Sequence, residues 1–297
     1  MRLGIPPSSK AVITMYGKRV GSPRVQMYFA MKRIDLIKQE HDVKMGQECP
    51  YIEPNITEDC IFYEDGIAVG FYIKQMPEKM CKLANLANAE LRTNNVPKTL
   101  MSRATVGTKE AYEKMKKDKS GKQTVDQYSV ILGGIPPKAQ FKRPYPNLSS
   151  VHAVKSAQIF IKAMLMLAKE SEDIIKQIMP EQYERQLELF KDVPDQWKFA
   201  NLFTSSISNY NIPAPFHRDA GNIVGAVNVI ITKRLNAKGG NLHVPDYGAT
   251  MDSADNSILV YPAWKNVHGV TPIIPTHEGG YRNSLVFYPL KAFVGLK

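Results

Sequence analysis

His217, Arg218 and Asp219 form a His-x-Asp step, and His268 follows 51 residues after the first histidine. Side chains on a strand alternate with period two, so His217 and Asp219 are expected on one strand face. A second imidazole, carried by a distant strand, would complete a set of two nitrogens and one carboxylate. With positions left open, that set suits non-haem Fe(II). The open positions are what O2 and a chelating co-substrate require. A His-x-Asp step alone is common and says little. Arg282, fourteen residues beyond His268, narrows the chemistry. It opens the run Arg282-Asn283-Ser284-Leu285-Val286-Phe287-Tyr288. Alternation puts Arg282, Ser284, Val286 and Tyr288 on one face. A buried Arg is costly without an anion. Its planar guanidinium can pair with a carboxylate through two parallel hydrogen bonds, and Ser284 can add a hydroxyl. The distal carboxylate of 2-oxoglutarate fits that description. Asn209 and Tyr210, just before the metal-binding step, are further candidates to reach the co-substrate.

The elements that must position these residues change character along the chain. From Phe203 onward, short β-rich runs alternate with Gly, Pro, Asn and Asp turns. Strands are expected over 204–210, 223–232, 241–244, 257–261, 267–273 and 282–288, which suggests an all-β sandwich or jelly roll. Before it, Ser150 to Lys191 has helical spacing, with Ala157, Ile161, Met164, Leu165 and Ala168 recurring on one face. Met164 and Met166 are expected in the core. A second helix is expected from Glu181, carrying Tyr183, Leu187 and Phe190, with Pro180 and Pro194 as punctuation. Residues 67–74 suit a strand, and a helix from Pro77 would present Met80, Leu83, Leu86 and Ala87. The stretch Ile131–Pro146 reads as an irregular connection in which Lys138, Lys142 and Arg143 interleave with Phe141 and Tyr145. The division expected is a mixed α/β region with basic loops over 1–150, supporting helices over 151–200, and a catalytic core over 201–297, all integrated in one domain.

The net charge is +11, with 39 Lys and Arg against 28 Asp and Glu. Such a field attracts polyanions, nucleic acid above all. The segment Thr108–Gln123 alone holds six lysines and is either a solvated face or a loop that touches phosphates. The three cysteines, Cys49, Cys60 and Cys81, form no CxxC pair, so no disulfide framework is expected. No apolar run reaches membrane-spanning length, and the first residues lack the apolar stretch of a secretory signal. A soluble intracellular monomer is therefore expected: in the host cytoplasm if phage-encoded, in the nucleus if eukaryotic.

His-x-Asp, a distal His and an Arg some ten to fifteen residues further on resemble the 2-oxoglutarate oxygenase superfamily. Within it, the sequence over roughly residues 200–293 resembles the TET/JBP family of nucleic-acid base hydroxylases, in a compact microbial or phage-type form. The resemblance implies an α+β protein with a double-stranded β-helix (jelly-roll) catalytic core and a helical N-terminal extension. It implies His217, Asp219 and His268 as the catalytic Fe(II) ligands, with 2-oxoglutarate and O2 as co-substrates. Arg282 and Ser284 would hold 2-oxoglutarate, and His243, in Leu242-His243-Val244, would contact it. Asn222, three residues after the Asp, would contact a flipped base, and Tyr288 would stack on it. The implied reaction hydroxylates the 5-methyl group of a pyrimidine in DNA, with 5-methylcytosine giving 5-hydroxymethylcytosine. Where those enzymes place a His two residues after the Tyr, this chain has Leu290, which leaves thymine open as the substrate. The same iron site would also serve an oxygenase acting on a protein side chain or a small metabolite. The charge, together with Asn222, His243 and Tyr288, favours DNA. A jelly-roll DNA-binding module without catalysis is the remaining alternative.

Overall fold

The structure is a computed structural model and describes residues 31–100, 127–138 and 143–296. The lysine-rich segment 108–123, Phe141 and Lys142 lie outside the described residues. In chain order, the first half supplies β1 (Lys32–Asp35), β2 (Cys60–Glu64), β3 (Ile67–Ile73), α1 (Glu78–Arg92), β4 (Thr99–Leu100), β5 (Tyr128–Ile135) and β6 (Asn147–Leu148). Two helices follow, α2 (Gln158–Ile178) and α3 (Pro180–Leu189). The second half is almost all strand: β7 (Ser205–Tyr210), β8 (Ala214–His217), β9 (Asn228–Leu235), β10 (Ala237–Gly239), β11 (Leu242–Val244) and β12 (Ala249–Met251). It ends with β13 (Ile258–Tyr261), β14 (His268–Val270), β15 (Ile273–Pro275) and β16 (Tyr281–Tyr288).

A ten-stranded sheet runs β1-β2-β3-β13-β9-β16-β7-β5-β4, with β6 attached to β5. A four-stranded sheet runs β12-β11-β14-β8, and β10 pairs with β15. The large sheet is open, since its terminal strands β1 and β4 do not meet. This corrects the expectation of a double-stranded β-helix with a helical N-terminal extension. The strands expected to form a self-contained jelly roll are instead flanked by strands of the first half: β3 pairs with β13 and β5 with β7. Residues 131–135, the start of the irregular connection expected over 131–146, are therefore part of a sheet strand, Tyr128–Ile135. Gly133, with φ +80°, takes the one backbone conformation there that other residues resist. A Cβ on it would also lie 2.5 Å from the Thr204 carbonyl oxygen.

One face of the large sheet packs against the helices. Phe71, Val130, Val229, Ile231, Val260, Leu285 and Phe287 meet Met80, Ala84 and Leu91 of α1 and Phe160, Met164 and Leu167 of α2. The register of the helical stripes differs in part from expectation. Leu86 (43% exposed), Leu165 (37%) and Met166 (49%) point outward, while Met164 is fully buried. Both helices lie on the sheet and on each other, so a narrow stripe suffices and the flanking apolar positions stay outside. Pro180, which has no N–H to continue α2, opens α3 at its first turn. The opposite face of the large sheet meets the four-stranded sheet through Tyr72, Leu259 and Tyr261 on one side and Leu242, Val244 and Met251 on the other. All three cysteines are buried and unpaired. Among the described residues no helix is long and apolar enough to cross a membrane.

Candidate metal centre

The two sheets enclose a cavity of about 560 Å³, within the range of small-molecule sites. Its floor is the large sheet. β16 contributes Arg282, Ser284, Val286 and Tyr288, as alternation requires, and β7 contributes Ile207 and Asn209. Its other wall is the small sheet, through His217 of β8, His268 and Val270 of β14, and Leu242 of β11.

His217 and His268 are directly opposite in the β8–β14 register. Their ring centroids are 4.3 Å apart. Asp219 joins them from a turn, not from the same strand, because β8 ends at His217. The turn is pinned by two backbone bonds, Asp219 N–H to the Ala263 carbonyl at 3.1 Å and Asn222 N–H to the Asp219 carbonyl at 2.9 Å. One donor atom from each of His217, Asp219 and His268 lies within 4.8 Å of the others. Two imidazoles and one carboxylate in that arrangement could hold a divalent transition metal with positions to spare.

The tautomers suit ligation. His217 Nδ1 lies 2.7 Å from the Pro215 carbonyl and His268 Nδ1 lies 3.1 Å from the Asn266 carbonyl. A carbonyl only accepts, so each Nδ1 carries the proton and each Nε2 is left as a lone-pair donor. Burial pushes His268 down to about 4, with the His217 imidazole adding to the shift, so it is neutral at neutral pH. Burial also lowers His217, but the Asp219 carboxylate and the Pro215 carbonyl outweigh it and the net shift is upward. For Asp219, burial works upward. The adjacent His217 ring, the charges that both imidazoles carry when protonated and the Asn228 amide overcome it and hold the carboxyl below its usual range.

Arg282 is 3% exposed, and no carboxylate among the described residues pairs with it. Among the described residues the guanidinium makes one hydrogen bond, from Nη2 to Ser253 Oγ at 3.4 Å, and Nε has no partner. Its cross-strand neighbour is another cation, Arg234, which is itself neutralised by Asp252 at 3.1 Å. Burial, then Arg234, lower Arg282 to about 10, so it remains charged. An unpaired buried guanidinium facing the same cavity as the three metal-ligating groups fits a dicarboxylate that spans the two. The residues therefore fit both the metal and the co-substrate.

The other expected residues separate. Ser284, Asn209, Asn222 and Tyr288 all line the cavity. Tyr288 also has its hydroxyl pushed upward by burial and by Asp219. His243 does not line it. Leu242 holds the inward position on β11, and His243 faces the other side, bonded to Thr250 Oγ1 at 2.8 Å and edge-on to Phe216. Tyr210 likewise points to the helical face, stacked between Tyr128 and Tyr281. Trp264 packs behind the site, its indole donating to the Ala226 carbonyl. Asn222 is 3% exposed, and its amide nitrogen is directed at Asn228 Oδ1, 2.8 Å away. Asn228, at the start of β9, is a cavity residue that sequence reasoning did not single out. Nothing about an Asn beside Val227 and Val229 distinguishes it until β9 is placed beneath Asp219.

An open cavity between two sheets, a two-His-one-carboxylate cluster and a buried unpaired Arg define an Fe(II)- and 2-oxoglutarate-dependent oxygenase. Residues 142–291 match the Tet_JBP family, described as the oxygenase domain of the 2OGFeDO superfamily, and the chain belongs to that family. The structure of NgTET1 in complex with 5mC DNA shares the fold over 85% of this chain and 84% of its own, at 13% identity and a TM-score of 0.54. A 2OG-Fe(II) oxygenase-family oxidoreductase from Burkholderia pseudomallei aligns over 74% of this chain and 84% of its own, at 14% identity and a TM-score of 0.40. No curated protein matches the chain in sequence.

Proposed function

We propose that this oxygenase hydroxylates the 5-methyl group of a pyrimidine base in DNA, with 5-methylcytosine converted to 5-hydroxymethylcytosine. The observation that carries the reading is the single cavity in which Tyr288 faces the metal-ligating cluster from the same strand face as Arg282. That cavity belongs to a chain of net charge +11, whose fold resembles that of an enzyme solved on 5mC DNA.

In this reading His217, Asp219 and His268 hold Fe(II). When bound, the iron with 2-oxoglutarate and O2 supplies the oxidation that turns a C–H bond into C–OH, with release of succinate and CO2. The protein does the rest. Arg282 pairs with the distal carboxylate, with Ser284 and Asn209 beside it. Ile207, Ile230 and Val286 exclude water from the floor between that anchor and the metal ligands. A duplex base must leave the stack to enter, at a cost of a few kcal/mol. Stacking on Tyr288 offsets part of it. One observation favours a second substrate, thymine. Leu290 lines the cavity beside Gly221, presenting an apolar surface where the resembling enzymes carry a His.

The test is nucleoside mass spectrometry after incubating the protein with Fe(II), 2-oxoglutarate and ascorbate on two DNAs, one containing 5-methylcytosine and one lacking it. A 5-hydroxymethylcytosine peak is the expected result. A 5-hydroxymethyluracil peak from either DNA would move the assignment to thymine. Succinate release with no new nucleoside would overturn the DNA reading in favour of a protein or small-molecule substrate.

A further inference from the structure

Asp219 is held more firmly than ligation alone requires. Its Oδ1 faces His217 Nε2 at 3.5 Å. Its Oδ2 accepts from Asn228 Nδ2 at 3.0 Å, with Asn222 Nδ2 further off at 3.4 Å. Asn222 Nδ2 also donates to Asn228 Oδ1 at 2.8 Å, so the two amides lock each other. Asn222 is 3% exposed and Asn228 1%. Asn228 is rigidly placed, paired with Tyr261 at the β9–β13 register, in the middle of the large sheet.

We infer that Asn228 and Asn222 form an amide clamp that reserves Oδ2 of Asp219 for the protein and leaves Oδ1 alone for the metal. A carboxylate has lone pairs on both oxygens and can bind a cation through one or both. Binding through both would consume a position that the co-substrate or O2 needs. Two amide N–H groups directed at Oδ2, 3.0 and 3.4 Å away, occupy both of its lone pairs, so that mode would cost a hydrogen bond in a buried site. Asn228 and Asn222 are thus positioning residues for the metal's carboxylate. Losing such a partner typically weakens metal binding about 10- to 100-fold. The inference rests on the metal centre and not on the identity of the substrate, so the nucleoside assay can fail while the clamp stands.

The test titrates the metal-free full chain with Co(II), by calorimetry and by its visible absorption. Asn228→Leu keeps approximately the side-chain shape and removes the donor without adding charge. Asn228→Ala removes the group, and Asn222→Ala, in the turn, serves where a β9 variant fails to fold by thermal melting. Each variant is expected to bind Co(II) about 10- to 100-fold more weakly, with a changed absorption band. In the Asp219→Ala background, Asn228→Ala is expected to cause no further loss. Folded variants that bind within twofold of the parent, with the same band, would overturn the clamp. So would an equal loss in the Asp219→Ala background, which would make the effect structural.

Discussion

Arg282 brings a buried positive charge to the wall of the cavity. Its guanidinium is buried, charged, and matched by no carboxylate among the described residues. Replacing it by Gln removes the charge but keeps a polar side chain of similar reach. Hydrogen bonds to charged groups are worth about 1.5–3 kcal/mol, and about 1.4 kcal/mol is tenfold. The KM for 2-oxoglutarate of Arg282→Gln should therefore rise roughly 10- to 100-fold, with Co(II) affinity little changed because the metal ligands are untouched. An unchanged KM would remove Arg282 from the co-substrate site. This residue and the three metal ligands were legible in the sequence because residue type alone limits what they can do. An Arg buried on a strand needs an anion. His243 was not legible in the same way. On a strand as short as Leu242–Val244, nothing local says which of two adjacent residues faces inward, and the structure gives that place to Leu242. Asn228 was invisible for a different reason. Its role is defined only by Asp219, nine positions back and held there by a turn.

At the scale of elements, Ile67–Ile73 and Tyr281–Tyr288 lie within a residue of expectation, whereas the strand expected over 223–232 runs Asn228–Leu235. The failures occur where pairing overrides composition. The strand at 128–135 carries Gly133 and Gly134 yet is paired along most of its length with β7. Its Gly-rich end is secured from outside by the turn at Ser150–Ala153. Ser149 Oγ donates to the Ile131 carbonyl at 2.6 Å, and the Gly133 N–H donates to His152 Nε2 at 2.8 Å. That second bond needs a neutral imidazole. Burial holds His152 below its ordinary value of 6.5. A histidine depressed on folding contributes stability that is complete above its unfolded pKa and is lost as pH falls through the folded one. Urea titrations at steps from pH 7.5 to 5 should show the parent losing stability below pH 6.5. His152→Gln offers an acceptor that does not titrate, so it should lose less over the same range. Parallel curves for the two proteins would show that this contact does not link proton uptake to unfolding.

At the scale of the whole molecule, the assembly depends on pairings that no local pattern reveals. Phe71 of β3 lies opposite Val260 of β13, across most of the chain. The large sheet thereby draws on both halves of the sequence, which the resemblance over residues 200–293 could not show. Charge is the one global property that was legible from composition, and it leads to a prediction about the partner. A surplus of eleven positive charges has a use if the substrate is a polyanion. Each phosphate neutralised on duplex DNA releases counterions, and the binding constant then falls with salt at a log–log slope of about −0.9 per contact. Two such contacts would weaken binding roughly tenfold between 50 and 200 mM salt, and more contacts would weaken it further. Fluorescence anisotropy on a labelled duplex should show at least that fall. Replacing Lys109, Lys114, Lys116, Lys117, Lys119 and Lys122 by Ser should make the slope shallower, with Co(II) titration as the check that the centre at His217, Asp219 and His268 is intact. A salt-independent Kd would mean that the charge does not serve nucleic acid, and the substrate would then have to be sought among molecules that enter the cavity without a phosphate backbone.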